Sequence, residues 1–430
     1  GMMWCLAAPG GDIGKVDRPA GTGDGGILST FPVNGTKDAD SYYTPDGLYV
    51  SYHGTSMAAP HVSGALAIAK QLYPNASYQQ LRTLVLHTSI DIGSAGIDEI
   101  YGWGLLNVRN LVGTADAAAG TIYAQRAWGQ AASVDQIMDS VAGRVVATNA
   151  DRAHGWWISP FASFGGVDGA VTAQEADVGN AGVTGGVEFD VTPEFSLGLF
   201  AGGSAGSLRA DDGNSANSSG IHSGAMLSYD NKAVFADLTI GVSRFWGNSN
   251  RVAAPGLAGT VLGAGGFSAG ASSVDTAFWG GAEVGYRFDL DKVDVAPYAF
   301  GRVVNQQLGA FGESSTSVLA LSGDATGMTT AEVGVGVQLL GSPLLVQQLT
   351  ITPSLDVAYG RRLGDFERPV SLLGNSLAST VPVGRDVLHI DAALDVSKPE
   401  SPLSVRLGYS GSLSSGSHAH AVKVSLSGSF

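Results

Sequence analysis

The chain has 430 residues, enough for two or three domains, and 23 Lys plus Arg against 38 Asp plus Glu give it a net charge of −15. An acidic chain of this kind is poorly suited to a polyphosphate, which excludes nucleic acid as a partner. Only 14% of residues are charged and 62 are glycine, yet no apolar run reaches the roughly eighteen residues of a spanning helix, so any membrane crossing must be made by strands.

Cys5 is the single cysteine, which rules out an intrachain disulfide and a multi-thiolate metal centre; by itself it reads as a small buried hydrophobe. The opening Gly1-Met2-Met3-Trp4 has no basic stretch followed by an apolar core, so no signal peptide is expected there and the N-terminus reads as truncated. Gly21 to Gly26, GTGDGG, satisfies GxGxxG in form but lacks the strand before it and the helix after it that let such a loop cradle phosphates, and a surface turn is expected.

Gly54 to Gly64, GTSMAAPHVSG, places a serine among small residues at the start of an apolar helical run, Ala65 to Leu72. A hydroxyl there sits beside unpaired first-turn amides at the positive end of the helix dipole, the surroundings that favour an oxyanion developing during acyl transfer. Gly54 is expected to permit a tight approach, and Pro60 to fall where a missing amide is tolerated. A serine that merely caps a buried helix would use the same residue types. Pro74 and Asn75 then break the chain, and Ser77 should cap a second helix carrying Leu81, Leu84 and Val85 on one face.

These segments resemble the subtilisin-like serine peptidases: GTSMAxPHVxG at every position, APGxxI in residues 4–14, and the closing YGxGxxN turn in Tyr101 to Asn107. The resemblance implies Ser56 as the nucleophile of peptide-bond hydrolysis and a truncated α/β remnant over residues 1–112. It also implies a His, an Asp and an oxyanion-hole Asn in motifs that have no counterpart in residues 1–430. His53 and His61 flank the serine, but neither occupies the position of the family's base: His61 belongs to the serine motif as a packing residue.

Residues 113–154 are alanine-rich, and Val134, Ile137, Met138, Val141 and Val145 draw one apolar stripe along a helix, with Asp135, Asp139 and Arg144 off it. From Trp156 the period becomes two. Ala282, Val284, Tyr286, Phe288 and Leu290 alternate with Glu283, Gly285, Arg287 and Asp289, and the pattern recurs at Leu388 to Ser397, Leu403 to Ser410, Ile351 to Gly360 and Val333 to Leu339. Twelve strands are expected, centred near residues 160, 184, 199, 224, 239, 281, 298, 333, 356, 391, 406 and 425, closing as an antiparallel transmembrane barrel in outer-membrane lipid. Trp157, Trp246, Trp279 and Tyr286 are expected in interfacial girdles, and Asp211 to Ser219 and Gly247 to Ser273 as polar connections. His418 and His420 share one strand face without a third ligand, and no metal or cofactor is expected.

The chain stops on an alternating strand ending in Phe430, which resembles the signal read by the outer-membrane barrel-assembly machinery. Residues 155–430 resemble the translocation domain of autotransporters, in which a helix threads the pore; this implies a mixed architecture of subtilase remnant, linker helix over 113–154 and barrel. The function implied is export and anchoring of a serine endopeptidase acting on peptides or proteins at the cell surface. The alternative is a non-enzymatic translocator or pore carrying an inactive passenger.

Overall fold

The structure, a computed structural model, describes residues 4–11, 25–32, 34–37, 42–147, 155–169, 174–252, 254, 256–315, 317–399 and 401–429. Phe430, Asp12 to Asp24 (which takes in most of the GTGDGG run), and the side chains of Arg144 and Val145 lie outside the described residues.

Twelve strands form the barrel: β1 (Gly155–Val167), β2 (Ala176–Asp190), β3 (Phe195–Ala210), β4 (Ser215–Asp230), β5 (Val234–Arg251), β6 (Ala269–Tyr286), β7 (Val293–Leu308), β8 (Thr326–Gly341), β9 (Leu349–Leu363), β10 (Asp386–Ser397), β11 (Leu403–Ser414) and β12 (Ser417–Ser429). Each expected centre falls inside one of them. All neighbours are antiparallel, and β12 returns to β1 with Ser417 opposite Val167 and Ser429 opposite Gly155, so the sheet has no free edge in lipid. The alternation sorts the faces as expected: Val284, Val335, Tyr359, Leu394 and Val422 face outward, whereas Asp275, Ser159, Thr184 and Ser410 are buried inside.

The strands run further than the sequence pattern indicates. Ser215 to Ser219 belong to β4, Gly247 to Arg251 to β5 and Ala269 to Ser273 to β6, so only 211–214 of the first expected polar connection and the middle of the second lie between strands. At about 3.3 Å per residue and a tilt near 40°, a strand of 18 residues rises roughly 45 Å, well past an apolar band of about 25 Å. Beyond the lipid both faces are wet or covered by protein, so the apolar alternation stops while the hydrogen-bond ladder continues.

Helix α4 (Thr121–Ala147) lies inside the barrel. The described stripe residues Val134, Ile137, Met138 and Val141 are buried against Phe161, Phe200, Met226, Phe245, Trp157 and Trp279. The two tryptophans therefore face the pore helix and not the interfacial girdle; Trp246 and Tyr286 remain exposed on the outer surface. Glycine opposite an aromatic makes this possible: a Cβ at Gly241 would strike the Trp279 ring, and one at Gly224 the Phe200 ring.

Polar groups fix the helix axially and rotationally. Arg302 holds Asp139 at 2.8 Å with Lys423 at 3.7 Å from the other carboxylate oxygen, Gln130 donates to Asp275 at 2.9 Å, and Gln306 donates to the Ala127 carbonyl at 3.1 Å. Ser133 donates to Ser204 at 2.9 Å, and Ser204 lies 2.8 Å from His222 Nε2, whose Nδ1 lies 2.7 Å from Ser243. At the mouth, Arg251 makes a bidentate pair with Glu313 at 2.8 and 2.7 Å, and Tyr123 of the helix donates to the same carboxylate at 2.8 Å. A hairpin, Phe366–Leu372 with Asn375–Val381, packs over the helix start as part of a four-stranded sheet with Phe311–Gly312 and Leu321–Gly323.

A lumen filled this way should conduct poorly. Deleting residues 113–150 is expected to raise single-channel conductance in planar bilayers several-fold, and equal conductance with and without the segment would exclude the plug.

Candidate functional site

The serine sits on α1 (Thr55–Leu72), packed against α2 (Tyr78–His87) and α3 (Val108–Gly113). Three short strands, Ile27–Thr30, Tyr42–Tyr43 and Tyr49–Tyr52, form an antiparallel sheet leading into the serine turn. Gly54 caps α1 at φ +125°, a conformation that requires glycine, and its N–H donates to the Gly10 carbonyl at 2.7 Å. A Cβ at Gly54 itself would meet nothing within 4 Å, so its role is conformational; the close approach belongs to Gly10, whose Cβ would lie 3.0 Å from the Gly54 carbonyl oxygen.

The three peptidase-like motifs meet through backbone. Ala7 N–H donates to the Gly104 carbonyl and Leu106 N–H to the Ala7 carbonyl, each at 2.8 Å, while Leu105 exchanges two 2.8 Å bonds with Ile90. Gly102 and Gly104, at φ +61° and +103°, allow the YGxG turn to fold against this strand. Asn107 then caps α3 by accepting from Asn110 N–H at 3.1 Å. Ser77 and Gln80 form a full capping box on α2, and Leu81, Leu84 and Val85 are buried as expected.

Ser56 is exposed in the first turn of α1, and no side chain caps that turn, which leaves amides available to an anion. Among the described residues its hydroxyl has no hydrogen-bond partner. His53 is exposed, and His61 spends Nδ1 as a donor to the Met57 carbonyl at 2.9 Å, so neither is engaged as a base. Pro60 is the sixth helical residue, one turn later than expected, and it has no N–H to offer the Ser56 carbonyl. Cys5 is exposed, contrary to the expectation of burial: its carbonyl accepts from Trp103 N–H at 2.9 Å while the side chain faces outward.

His87, which the motifs do not single out, closes α2. Its ring lies 4.9 Å from that of Trp103, and its buried Nδ1 has no partner among the described residues. Burial pushes its pKa down from 6.5 to about 4. His418 and His420 do share a strand; their ring centroids are 5.8 Å apart, and His420 Nδ1 is hydrogen-bonded to Tyr409 at 2.7 Å.

A closed antiparallel barrel with a helix through its lumen defines an outer-membrane translocator. The sequence profile of the Autotransporter beta-domain matches residues 156–410, more than half the chain, and the protein belongs to the autotransporters; residues 1–104 match the Subtilase family. The fold is similar to the translocator domain of autotransporter NalP from Neisseria meningitidis, with a TM-score of 0.58 at 17% identity over 73% of this chain and 100% of that one. It is also similar to the beta domain of the Bordetella autotransporter BrkA, with a TM-score of 0.50 at 13% identity over 65% of this chain and 100% of that one.

In sequence, 109 residues are 35% identical to an extracellular serine protease of Serratia marcescens, covering 25% of this chain and 10% of that protein. Another 35% identity over 97 residues links it to the Neisserial autotransporter lipoprotein NalP of Neisseria meningitidis, covering 23% and 9%. The chain thus spans about a tenth of the length of these curated relatives. It is an outer-membrane autotransporter translocator carrying a subtilase-like segment.

The depressed pKa of His87 fixes a sign for acid sensitivity. Folding favours the neutral ring, so its stabilising effect is complete above the unfolded value of 6.5 and declines as pH falls from there toward 4. Residues 4–112 should lose roughly 1–3 kcal/mol of protection against proteolysis across that window, the partial exposure of the ring being allowed for, and His87→Phe should flatten the loss. Identical acid profiles for both proteins would exclude this origin.

Proposed function

We propose that the barrel exports and anchors a subtilisin-like serine endopeptidase at the cell surface, that the peptidase-like part comprises residues 1–112, and that Ser56 is its nucleophile. The observation that carries the reading is the placement of Ser56 in an uncapped, exposed first helical turn at the junction of three subtilase motifs. An acyl group attacked there would meet free amides at its developing oxyanion. The second reading, an inactive passenger on a working translocator, is favoured by one fact: within the described residues no base touches Ser56.

A fluorophosphonate probe separates the two. The chain of residues 1–430 should label no better than its Ser56→Ala variant, and a chain extended upstream by a segment bearing the family's Asp and His motifs should label at Ser56 at least a hundred-fold faster. Failure of the extended chain to label would leave the translocator alone.

Phe430 belongs to the same proposal as the assembly signal. Phe430→Ser, or its deletion, should lower the amount of heat-modifiable barrel in the outer membrane with synthesis unchanged, and equal levels would rule the signal out.

A further inference from the structure

We infer that the connection between β5 and β6, in its stretch 256–268, is a dock that seats the peptidase-like segment on the barrel mouth and retains it there. The inference concerns residues 88–114 as occupant and holds whether or not Ser56 is catalytic. Connections of this length without a fold of their own are uncommon in compact structures, and this one is internally braced. Thr260 donates to the Leu257 carbonyl at 2.9 Å and accepts from Gly263 N–H at 3.0 Å, capping the single turn Val261–Ala264.

The braced loop presents backbone to the segment, and the segment answers it. Ile90 forms an antiparallel bridge with Thr260, and Asp91 N–H donates to the Gly259 carbonyl at 2.7 Å. Asn110 donates to the Ala258 carbonyl at 3.1 Å and to the Thr88 carbonyl at 3.2 Å, which joins the loop to the end of α2 through one amide. Leu257 is 5% exposed and belongs to the same core as Tyr73, Leu84, Val85 and Leu111. Gly256, at φ +82°, brings the backbones together; a Cβ there would collide with the Asn110 carbonyl and the Thr114 methyl. These contacts do not reach α1's serine end, so the dock holds the segment from behind.

Few contacts suffice for retention because the partner is tethered. A short linker gives an effective concentration in the millimolar range, at which even a weak isolated interface is mostly closed. A mobile passenger would need no such loop, and neither the glycine at 256 nor the paired amide at 110 would then have a partner to fit.

Disulfide trapping in the full chain tests the seat. In a Cys5→Ser background, Ile90→Cys with Thr260→Cys places thiols across a bridge whose Cα atoms lie about 4.5–5.5 Å apart, inside the range a disulfide accepts. Most heat-modifiable molecules in oxidised outer membranes should be cross-linked and single-cysteine controls should not; a folded barrel without the cross-link overturns the dock. Retention is read separately with a site-specific protease sequence inserted between Ala115 and Asp116. After cleavage the N-terminal fragment should stay with washed membranes, and Leu257→Asp should release at least ten-fold more of it. Equal release from both proteins, whether high or low, would show that this loop does not hold the segment. Neither readout uses Ser56, so loss of the catalytic reading and loss of the dock give different results.

Discussion

Hydrocarbon offers a backbone no hydrogen-bond partner, and everything else in this molecule follows from how the chain meets that constraint. The ladder between β12 and β1 removes the last open edge, and that closure imposes an enclosed lumen. An enclosed lumen must then be either wet or filled. Here the filling is a helix whose apolar stripe meets aromatics from β1, β3, β5 and β6, while its remaining faces carry Asp139, Gln130 and Arg126 to fixed partners on the wall. Two kinds of contact therefore share one helix: nondirectional burial gives adhesion, and the charge-assisted pairs set rotation and depth.

The wall's glycines belong to the same balance. A barrel strand needs no glycine for lipid contact, and glycine weakens a strand. Opposite Trp279 and Phe200 it lets large rings lie against the sheet and still leave width for the helix. The lumen thus trades local strand propensity for the volume of a helix with its aromatic sleeve, which explains why a chain with 62 glycines still forms long, continuous ladders.

Much of this was legible because its physical signals are local. Period two placed all twelve barrel strands, the spacing of Val134, Ile137, Met138 and Val141 marked a helix that the resemblance to autotransporters placed in the pore, and Ser77 announced α2. What was not legible depended on direction or on distant partners. A tryptophan suits an interface or a helix-packed lumen equally, so Trp157 and Trp279 could be assigned only by which face of the strand they occupy. The strand ends beyond the lipid lose the apolar alternation that marks the rest, and Arg251 finds Glu313 across 62 positions of sequence. At the candidate site the motif located Ser56, but Gly54 proved to serve conformation and Gly10 contact, because φ cannot be read from residue type.

The peptidase-like segment is packed unevenly, and the unevenness has a direction. Toward the barrel, Tyr73, Leu81, Leu84, Val85 and Leu111 are all buried, and Tyr73 hydrogen-bonds Thr114 at 2.9 Å at the root of the linker. Toward the serine, α1 fully buries only Ala65 and Ala69 along eighteen residues. At roughly 25 cal/mol per Å² of apolar surface, two alanines contribute little to holding a helix, so the serine end relies on the Gly54 to Gly10 backbone bond and on the rigidity of α1, whose Leu66 and Leu72 pack against the core. On the proposed reading, a serine carried in this way keeps an uncovered surface around it. Acyl transfer requires a proton acceptor within hydrogen-bond reach and a substrate aligned to the first-turn amides, and both would have to arrive across that same surface. The segment's firm half therefore helps fix where Ser56 stands, and its open half is where, on that proposal, the remaining chemistry would have to be supplied.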